Sequence, residues 1–572
     1  MRTVLVANRG EIAVRILRAC RELGLRTVAV FSDADAAAPH VGMADEAVRI
    51  GPAQARSSYL DIDALLDAAK STGADAVHPG YGLLSEDAAF AAAVTAAGLT
   101  FVGPSADIVA RMGDKVAARA VAVECGVPVP PGSGPVTAAS VKKAAEGIGF
   151  PLVVKATHGG GGRGMRVLTS ADGLADAVTA AGREAAASFG RSEVHLERYL
   201  ERPRHVEVQV VGDTHGTIVH LGDRDCSVQR RHQKLIEEAP APGIDPSLRA
   251  ALADAAVTLA RTVGYVGAGT VEFLVLPATG EFFFLEMNTR LQVEHGVTEL
   301  VTGLDLVATQ LRVAAGERLA FTQDDVAIRG HAIQARIAAE DPWEGFRPSP
   351  GRVDALVLPQ GPGVRNDFGL SHEGAVAPEY DSMFGKVLAH GSDRESARRR
   401  LIGALDELRV DGIPTTAPYL RSVLGSASFT AATHDTGSVA REWVPDPSAR
   451  PAAPVARQTR HRRVRIATDR GVVEVDVHGV GPRAVTRAAR AAEVPAASRA
   501  AAAGPAVAPM DATVVEIRVA AGQQVAVGDV VAVLEAMKME MEIRTDVAGE
   551  VTAVLVEAGA PVAAGSPLIS LG

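Results

Sequence analysis

The sequence of 572 residues predicts an α/β protein of several domains that ends in a small all-β unit. Three observations lead to this prediction. Near the N-terminus, short apolar segments alternate with amphipathic helical segments. In the middle a predicted strand runs into four consecutive glycines, and near the C-terminus a pattern of valines and glycines occurs twice. One hydrophobic core rarely serves a chain of this length, so these regions are expected to be separate domains.

The N-terminal region predicts a doubly wound α/β domain that extends to about residue 113. Residues 3–7 and 26–31 are apolar runs typical of buried parallel strands, and residues 11–23 place their apolar side chains on one helical face. A further strand is expected at residues 74–77. The turn at residues 8–10 lacks the full glycine fingerprint of dinucleotide-binding proteins, so no NAD site is predicted there.

The second region carries a glycine-rich loop that is suited to phosphate groups. A predicted strand at residues 151–155 ends in Lys155 and leads into Gly159–Gly162 and Arg163. Glycines let backbone N–H groups approach a ligand closely, and the two cations favour phosphate. A flexible linker is the alternative interpretation, but the predicted strands on both sides of the loop argue against it. Because the sequence Gly-Lys-Ser/Thr is absent, the loop is not a P-loop.

Two carboxylates lie in neighbouring apolar runs further along the chain. Glu272 falls within residues 269–275, whereas Glu286 and Asn288 fall within residues 281–288. Carboxylates are rare in such runs unless they pair or hold a cation. Their oxygens suit a Mg²⁺ ion that bridges nucleotide phosphates. The alternative is that one of them is an outward-facing strand residue.

The C-terminal region repeats a β-rich unit with an offset of 37 residues, which maps Gly522 onto Gly559 and Gly528 onto Gly565. Two copies of one unit predict a small pseudo-symmetric β structure. Lys538 lies just beyond the first copy, between Met537 and Met539, where a connecting hairpin is expected. A solvated hairpin lysine is the alternative, but methionines beside it at a presumed tip are unusual.

Charge and composition exclude several function classes. The chain has 58 Lys and Arg against 68 Asp and Glu, and it has no long basic tract, so nucleic acid is not expected as a partner. Its three cysteines are widely separated and form no disulfide or metal motif. No apolar stretch is long enough for a signal peptide or a membrane span. A cytoplasmic protein without membrane association is therefore expected.

Residues 1–447 resemble the ATP-grasp fold and, within it, biotin carboxylase. The resemblance is carried by Lys155 with the glycine loop, by Arg336, and by the runs 112–115, 203–209, 224–234, 238–242, 286–295 and 339–342. The segment around Met537-Lys538-Met539 resembles the biotinyl domain of biotin-dependent carboxylases. A lipoyl domain is similar overall, but its lysine usually lacks methionine neighbours. Residues 508–512 depart from the family's usual Pro-Met-Pro-Gly turn, and His158 replaces a residue that is usually small.

The resemblance implies five segments. They are an N-terminal carboxylase α/β domain (1–113), an ATP-grasp domain with a glycine-rich lid (114–320), a C-terminal α+β carboxylase domain (321–447), a tether (448–505) and an all-β biotinyl carrier domain (506–572). Within the tether, residues 464–466 and 472–477 predict a strand pair. The basic cluster at residues 460–465 is interpreted as a solvated face, with a docking surface for a partner subunit as the alternative.

The resemblance also implies a role for each candidate site residue. ATP is expected to contact Lys115, Lys155, Gly161, Gly162, Glu197, Arg198, Tyr199, Leu200, His205, Gln229 and His232. The expected ligands of Mg²⁺ or Mn²⁺ are Glu272, Glu286 and Asn288. Bicarbonate is expected to bind to Lys234, Arg290, Gln292 and Val293, and Glu294 is expected to deprotonate it. Arg336 is expected to stabilise the negatively charged ureido oxygen of biotin. We expect Lys234 and Arg290 to favour the ionised form of Glu294, and biotin to be attached to Lys538.

The expected partners follow from what the chain lacks. After residue 447 no segment is long enough for a carboxyltransferase, so a separate β subunit is implied. The arrangement resembles the α subunit of actinobacterial acyl-CoA carboxylases acting on acetyl-CoA or propionyl-CoA, served by a biotin protein ligase and assembled as a homo-oligomer within a larger complex. The alternatives are the carboxylase subunit of a pyruvate carboxylase, another ATP-grasp ligase, and a non-catalytic biotin carrier.

Overall fold

The structure is a computed structural model of the chain. It describes residues 1–156, 166–189, 192–372, 374–450, 460–468, 471–479, 506–510, 512–536, 539–562 and 565–572. Three predicted site residues, Gly161, Gly162 and Lys538, lie outside the described residues. Among the described residues, no helix has the length and apolar character needed to cross a membrane.

The N-terminal region forms the predicted doubly wound domain. Its strands are Thr3–Val6 (β1), Arg26–Ser32 (β2), Glu46–Gly51 (β3), Ala76–His78 (β4) and Thr100–Phe101 (β5). All pair in parallel in the order β3-β2-β1-β4-β5. Its helices are Gly10–Glu22 (α1), Pro39–Met43 (α2), Ile62–Thr72 (α3), Ala88–Ala96 (α4) and Ala106–Gly113 (α5).

Side-chain alternation along β1 explains why helices cover both faces of this sheet. Val4 and Val6 pack with Ile12 of α1 on one face, whereas Leu5 packs with Leu65 of α3 on the other. In the observed order the direction of winding changes between β1 and β4. The carboxyl ends of these two strands therefore form a crevice where this type of fold holds ligands.

A small four-stranded sheet follows, with helices packed on it. Its strands are Gly132–Val136 (β6), Leu152–Ala156 (β7), Arg166–Leu168 (β8) and Val194–Arg198 (β9), in the order β6-β9-β7-β8. Helices Val141–Ile148 (α7) and Leu174–Phe189 (α8) pack on this sheet, whereas Lys115–Glu124 (α6), which precedes it, packs against the strand Glu281–Asn288. The strands predicted on either side of the glycine loop are thus present as β7 and β8, which pair with each other.

A large antiparallel sheet carries most of the chemistry. Its first six strands along the chain are Arg204–Gly212 (β10), Ile218–Arg230 (β11), Gln233–Ala239 (β12), Gly267–Leu276 (β13), Glu281–Asn288 (β14) and His331–Ala338 (β15). Two more strands of this sheet belong to the C-terminal lobe. The helices between them are Pro246–Thr262 (α9), His295–Thr302 (α10) and Leu306–Ala314 (α11). The two carboxylate-bearing runs are strands as predicted, and they pair with Glu272 directly opposite Glu286.

The C-terminal lobe completes this sheet and adds short strands around it. It comprises Glu340–Asp341 (β16), Arg347–Pro348 (β17), Gly351–Arg352 (β18), Ala355–Val357 (β19), Val364–Phe368 (β20), Ala375–Val376 (β21), Met383–Gly391 (β22) and Arg409–Asp411 (β23). Its helices are Arg394–Glu407 (α12), Ala417–Leu424 (α13), Ala427–Thr430 (α14) and Ser438–Arg441 (α15). The large sheet runs β14-β13-β10-β11-β12-β15-β22-β20.

The remaining strands form a hairpin and the carrier unit. Arg460–Thr468 (β24) and Gly471–Gly479 (β25) are the strand pair predicted inside the tether. The carrier contains Ala512–Ile517 (β26), Gln524–Val525 (β27), Val530–Ala536 (β28), Met539–Arg544 (β29), Gly549–Val554 (β30), Pro561–Val562 (β31) and Ile569–Leu571 (β32).

The predicted internal repeat is confirmed by the strands of the carrier unit. Shifting β26 and β27 by 37 residues gives the bounds of β30 and β31. The paired glycines agree as well: Gly522 and Gly559 have φ of 85° and 86°, and Gly528 and Gly565 have φ of 91° and 82°. Such positive φ values favour glycine, which explains why these positions repeat.

Candidate active site

The candidate site lies on one face of the large sheet. Side chains alternate along β10, so His205 and Glu207 point to the same side. Glu207 lies opposite Arg224 of β11 and opposite Glu272 of β13 in the strand register. Strand pairing thus gathers onto one face charged residues that are far apart in the sequence.

Lys234, on β12, lies at the centre of this face. Its Nζ donates to Oε2 of Glu207 (2.7 Å), to Oε1 of Glu272 (2.9 Å) and to Oε1 of Glu294 (2.6 Å). Burial alone would lower the pKa of Lys234, but these three carboxylates outweigh it and raise the pKa well above its ordinary value. Lys234 is therefore held as an ammonium ion among three acids.

Glu294 directly precedes α10 and is buried beside two cations. Lys234 binds one of its carboxylate oxygens, and Nη2 of Arg336 donates to the other at 3.0 Å. Burial raises the pKa of Glu294, but Lys234 and Arg336 outweigh burial, and its pKa is lowered. The carboxylate is thus ionised and able to accept a proton.

The second cation beside Glu294 differs from the predicted one. Arg290 was expected there, but its Nε donates to Oε2 of Glu86 at 2.9 Å and its Nη2 to Oδ1 of Asn288 at 3.0 Å. Arg336 takes the position next to Glu294 instead. The prediction of this contact was wrong because Arg290 is near Glu294 in sequence, whereas Arg336 reaches it through the pairing of β15 with β12.

The three predicted metal ligands lie on the paired strands β13 and β14, with Glu272 in the middle of β13 and Glu286 and Asn288 at the end of β14. Nε2 of Gln292 donates to Oε1 of Glu272 at 2.6 Å and to Oδ1 of Asn288 at 2.9 Å, which orients both oxygens. Burial and the charge of Glu272 raise the pKa of Glu286. A buried carboxylate, a half-buried carboxylate opposite it and an amide oxygen form a donor set that fits a divalent cation such as Mg²⁺.

The predicted nucleotide-binding residues lie around the turn between β11 and β12 and along β9. Nζ of Lys155 donates to Oε1 of Glu197 at 2.6 Å. Burial raises the pKa of Glu197, but hydrogen bonds from His195 and the charge of Lys155 outweigh it and lower the pKa to about 2. Burial and the charges of His205, Lys115 and Lys155 lower the pKa of His232, which places this histidine near both lysines.

The other predicted nucleotide contacts have defined surroundings. Arg198 pairs with Glu281 at 3.3 Å, and Leu200 is buried while Tyr199 is exposed. Nε2 of Gln229 lies 3.3 Å from Nδ1 of His205. His205 in turn forms an ion pair with Glu272 at 2.7 Å, which links the nucleotide side of the site to the metal side.

Matches to known families agree with this geometry. Residues 1–109 match the "Biotin carboxylase, N-terminal domain", residues 114–322 the "Carbamoyl-phosphate synthase L chain, ATP binding domain", and residues 334–441 the "Biotin carboxylase C-terminal domain". Residues 499–571 match the family "Biotin-requiring enzyme". The biotin carboxylase of Haemophilus influenzae is 52% identical over 429 residues, which are 74% of this chain and 95% of that protein.

The chain belongs to the biotin carboxylase family. The carboxylase is 43% identical over nearly its whole length to the "Biotin-dependent acyl-coenzyme A carboxylase alpha3 subunit" of Mycobacterium leprae, with 99% of this chain and 98% of that one covered. The biotin carboxylase domain of Hydrogenobacter thermophilus 2-oxoglutarate carboxylase, solved with MgADP and bicarbonate, has a TM-score of 0.72 and 42% identity. That comparison covers 77% of this chain and 97% of that domain.

The predicted family and fold are thereby confirmed. The carboxylase is an ATP-dependent ligase, and its cofactors are biotin, ATP and Mg²⁺. The individual site residues and the domain boundaries remain predictions.

Sequence reasoning missed part of this cluster. Glu207 binds Lys234 and Arg224, and Glu237 binds Arg336. Arg224 of the carboxylase is fully buried and donates also to Gln209, Thr298 and Gln292. Glu207 lies between two valines in its strand, a pattern similar to the one that predicts Glu272, whereas Glu237 lies in a strand with several polar residues that gives no such signal.

A further contact joins the N-terminal domain to the site. Lys386, on β22, is fully buried; its Nζ donates to the carbonyl of Val293 at 2.6 Å and pairs with Glu11 of α1 at 2.8 Å. Tyr81 hydrogen-bonds the same glutamate. Val293 precedes Glu294, so this contact fixes the backbone next to the predicted base of the carboxylase.

Proposed function

We propose that this chain is the α subunit of an acyl-CoA carboxylase that acts on acetyl-CoA or propionyl-CoA. The observation that carries the proposal is the likeness over almost the full length to the alpha3 subunit of Mycobacterium leprae. In this chain carboxylase and biotin-requiring parts are joined in one polypeptide, and the likeness to the alpha3 subunit covers 99% of it. A separate carboxyltransferase β subunit then transfers the carboxyl group to the acyl-CoA, and a biotin protein ligase attaches biotin to Lys538.

The first step of the proposed reaction activates bicarbonate. Lys234, Arg290, Gln292 and Val293 bind it, and Glu294 takes its proton so that the oxygen can attack the γ-phosphate of ATP. The ionised state of Glu294 supports this role, because a carboxylate with a lowered pKa is unprotonated at neutral pH. Lys234, held as an ammonium ion, balances the charge of the bound anion.

The second step carboxylates N1 of biotin. Carboxyphosphate releases CO₂ and phosphate, and the phosphate takes the proton from N1. Arg336 stabilises the negative charge that develops on the ureido oxygen. Burial lowers its pKa, but Glu237 and Glu294 outweigh burial and raise it, so its charge is permanent and fixed in place before the reaction.

The nucleotide is held by the residues around β9 and the β11–β12 turn. Lys115 and Lys155 contact its phosphates, together with Gly161 and Gly162 of the glycine loop. Glu197, Arg198, Tyr199, Leu200, His205, Gln229 and His232 surround the adenosine. Glu272, Glu286 and Asn288 would hold the divalent cation, which would neutralise phosphate charge when bound.

The proposal is tested by assaying the purified chain with a candidate β subunit and a panel of acetyl-CoA, propionyl-CoA and pyruvate. We expect bicarbonate-dependent and ATP-dependent carboxylation of the acyl-CoAs, and none of pyruvate. Carboxylation of pyruvate alone would contradict the acyl-CoA assignment.

The role of Lys538 has a separate test. Lys538→Ala should abolish streptavidin labelling of chain produced with biotin protein ligase, yet leave carboxylation of free biotin intact. Retained labelling would show that another lysine carries biotin.

A further inference from the structure

A groove on the C-terminal lobe is lined in part by the carrier unit. The cavity measures about 630 Å³, and its walls are residues 347–352, which include β17 and β18, and residues 375–378, which include β21. Pro509 and Met510, at the start of the carrier, line the same cavity. The carboxylase part and the carrier unit, which must cooperate in carboxylation, therefore meet at this groove.

The burial of Met510 points to the groove as its binding site. Met510 is only 8% exposed, yet it is not a member of the carrier's hydrophobic core, to which nearby Ala508 belongs. Its burial is therefore provided by residues outside that core. Three prolines of the groove, Pro348, Pro350 and Pro378, offer the rigid apolar surface that a methionine side chain fills well.

The charges of the two surfaces are complementary. Residues 506–572 contain three Lys and Arg against nine Asp and Glu, so the carrier is strongly acidic. The groove, by contrast, carries two exposed arginines, Arg347 and Arg352. Attraction of this kind speeds docking and orients the partners more than it adds affinity.

The segment that lines the groove leads along the chain to the N-terminal domain. Tyr380 follows Pro378 by two residues, and its ring packs against Arg9 at 3.9 Å. Tyr81 of the same domain hydrogen-bonds Glu11, the glutamate that pairs with Lys386. The groove is thus joined through the chain to the domain that supports the predicted base.

We propose that this groove is the docking site of the chain's own carrier domain during biotin carboxylation, with Met510 as its apolar anchor and Arg347 as a charged contact. The inference rests on the proposed function, because it assumes that biotin on the carrier is carboxylated at this site. It adds the surface on which the carrier is received.

The first experiment compares two reactions of the full, biotinylated chain: carboxylation of its own biotin and carboxylation of free biotin. Met510→Asp should slow self-carboxylation about tenfold, because it places a charge in an apolar groove. Free-biotin carboxylation and streptavidin labelling should not change. Val527→Asp, at a carrier valine that is 67% exposed and does not line the groove, is the matched control and should have no effect.

A second variant guards against damage to the carrier itself. Arg347→Glu lies on the carboxylase lobe, so the carrier's fold is untouched. It should slow self-carboxylation several-fold at low salt, with a smaller difference at high salt because ions screen the contact. Unchanged self-carboxylation in both Met510→Asp and Arg347→Glu would overturn the docking site. If the unmodified chain did not carboxylate free biotin, that result would instead refute the proposed function.

Mixing two variants distinguishes docking within one chain from docking between copies of the chain. Lys538→Ala keeps the carboxylation site but lacks biotin, whereas Glu294→Gln keeps biotin but lacks the base. If the carrier serves its own chain, the mixture fixes little carboxylate on protein. Rapid fixation in the mixture would show docking between copies and would overturn this proposal.

Discussion

The two faces of the large sheet both bury charged residues, but they differ in balance. The face that carries the site holds five carboxylates, those of Glu207, Glu237, Glu272, Glu286 and Glu294, with three permanent cations, Arg224, Lys234 and Arg336. On the opposite face Arg204 pairs with Asp225, and Arg394 pairs with Glu238. The first face therefore has more carboxylates than cations. On the second, which we call the matched face, each of these carboxylates has one arginine as its partner.

This difference separates a site from a structural cluster. Each carboxylate of the matched face also has a histidine neighbour: His434 lies 3.4 Å from Asp225, and His331 lies 2.8 Å from Glu238. Buried charges that are fully paired have little left to offer a ligand. A surplus of buried carboxylates, by contrast, is stabilised when a cation or a positively charged ligand complex binds. The excess acid of the first face therefore favours a divalent cation such as Mg²⁺.

The largest expected effect is on the face with surplus acid. Glu294→Gln should lower biotin-dependent ATP cleavage by roughly 10²–10⁴-fold, since an amide cannot accept the proton of bicarbonate. Its effect on stability should be small, because removing one of five carboxylates brings the charges closer to balance. Phosphate release and a thermal melt check the two parts. Wild-type turnover in this variant would assign the base elsewhere.

The second effect is on the matched face. Glu238→Gln leaves the half-buried guanidinium of Arg394 without its buried carboxylate, and breaking such a pair costs up to about 3–5 kcal/mol of folding free energy. Carboxylation of free biotin per folded molecule should stay close to that of the unmodified chain. Urea unfolding with activity measured below the transition tests this. A large loss of activity without loss of stability would contradict the division between the two faces.

A smaller effect is expected at Glu340, a carboxylate that forms no ion pair with any Lys or Arg among the described residues. Burial raises the pKa of Glu340 to about 7, and Ser382 donates to it at 2.5 Å. Because the folded pKa lies above the unfolded one, this group favours folding most at acid pH and loses about 3 kcal/mol as pH rises from about 4.5 to 7. Glu340→Gln should therefore stabilise the protein at pH 8 and hardly change it at pH 4.5. Equal changes in unfolding free energy at both pH values would refute this.

The smallest effect is expected at the rim of the site. Glu86, which is partly exposed, holds Arg290 away from Glu294. Exposed ion pairs contribute at most about 1 kcal/mol, so Glu86→Gln should lower the KM for bicarbonate by no more than about fivefold and leave kcat unchanged. Bicarbonate saturation curves measure it. A fall in kcat would mean that Glu86 orients Arg290 for the reaction and does not compete for it.

Local patterns predicted much of the fold. The alternation of apolar strands and helices predicted the doubly wound domain, and the two neighbouring apolar runs that carry Glu272 and Glu286 are the strands β13 and β14. The offset of 37 residues predicted the two-fold repetition of the carrier. These features succeed because neighbouring residues alone determine side-chain periodicity and the glycine positions of turns.

The site needed more than local pattern. The sequence predicts neither the contact of Arg336 with Glu294 nor that of Lys386 with Glu11. Lys386 and Glu11 lie in different domains and are more than 300 residues apart. Nothing in the neighbourhood of either residue indicates its partner.

The sequence by itself determined which chemical groups this carboxylase possesses, the repeat of its carrier and the family to which it belongs. Only the tertiary structure decided which acid meets which base, because register between distant strands sets those pairs and the resulting burial sets their pKa values. The same strand of alternating residues sends Asp225 to a matched face and Arg224 to the site, and that assignment exists only once the sheet has formed.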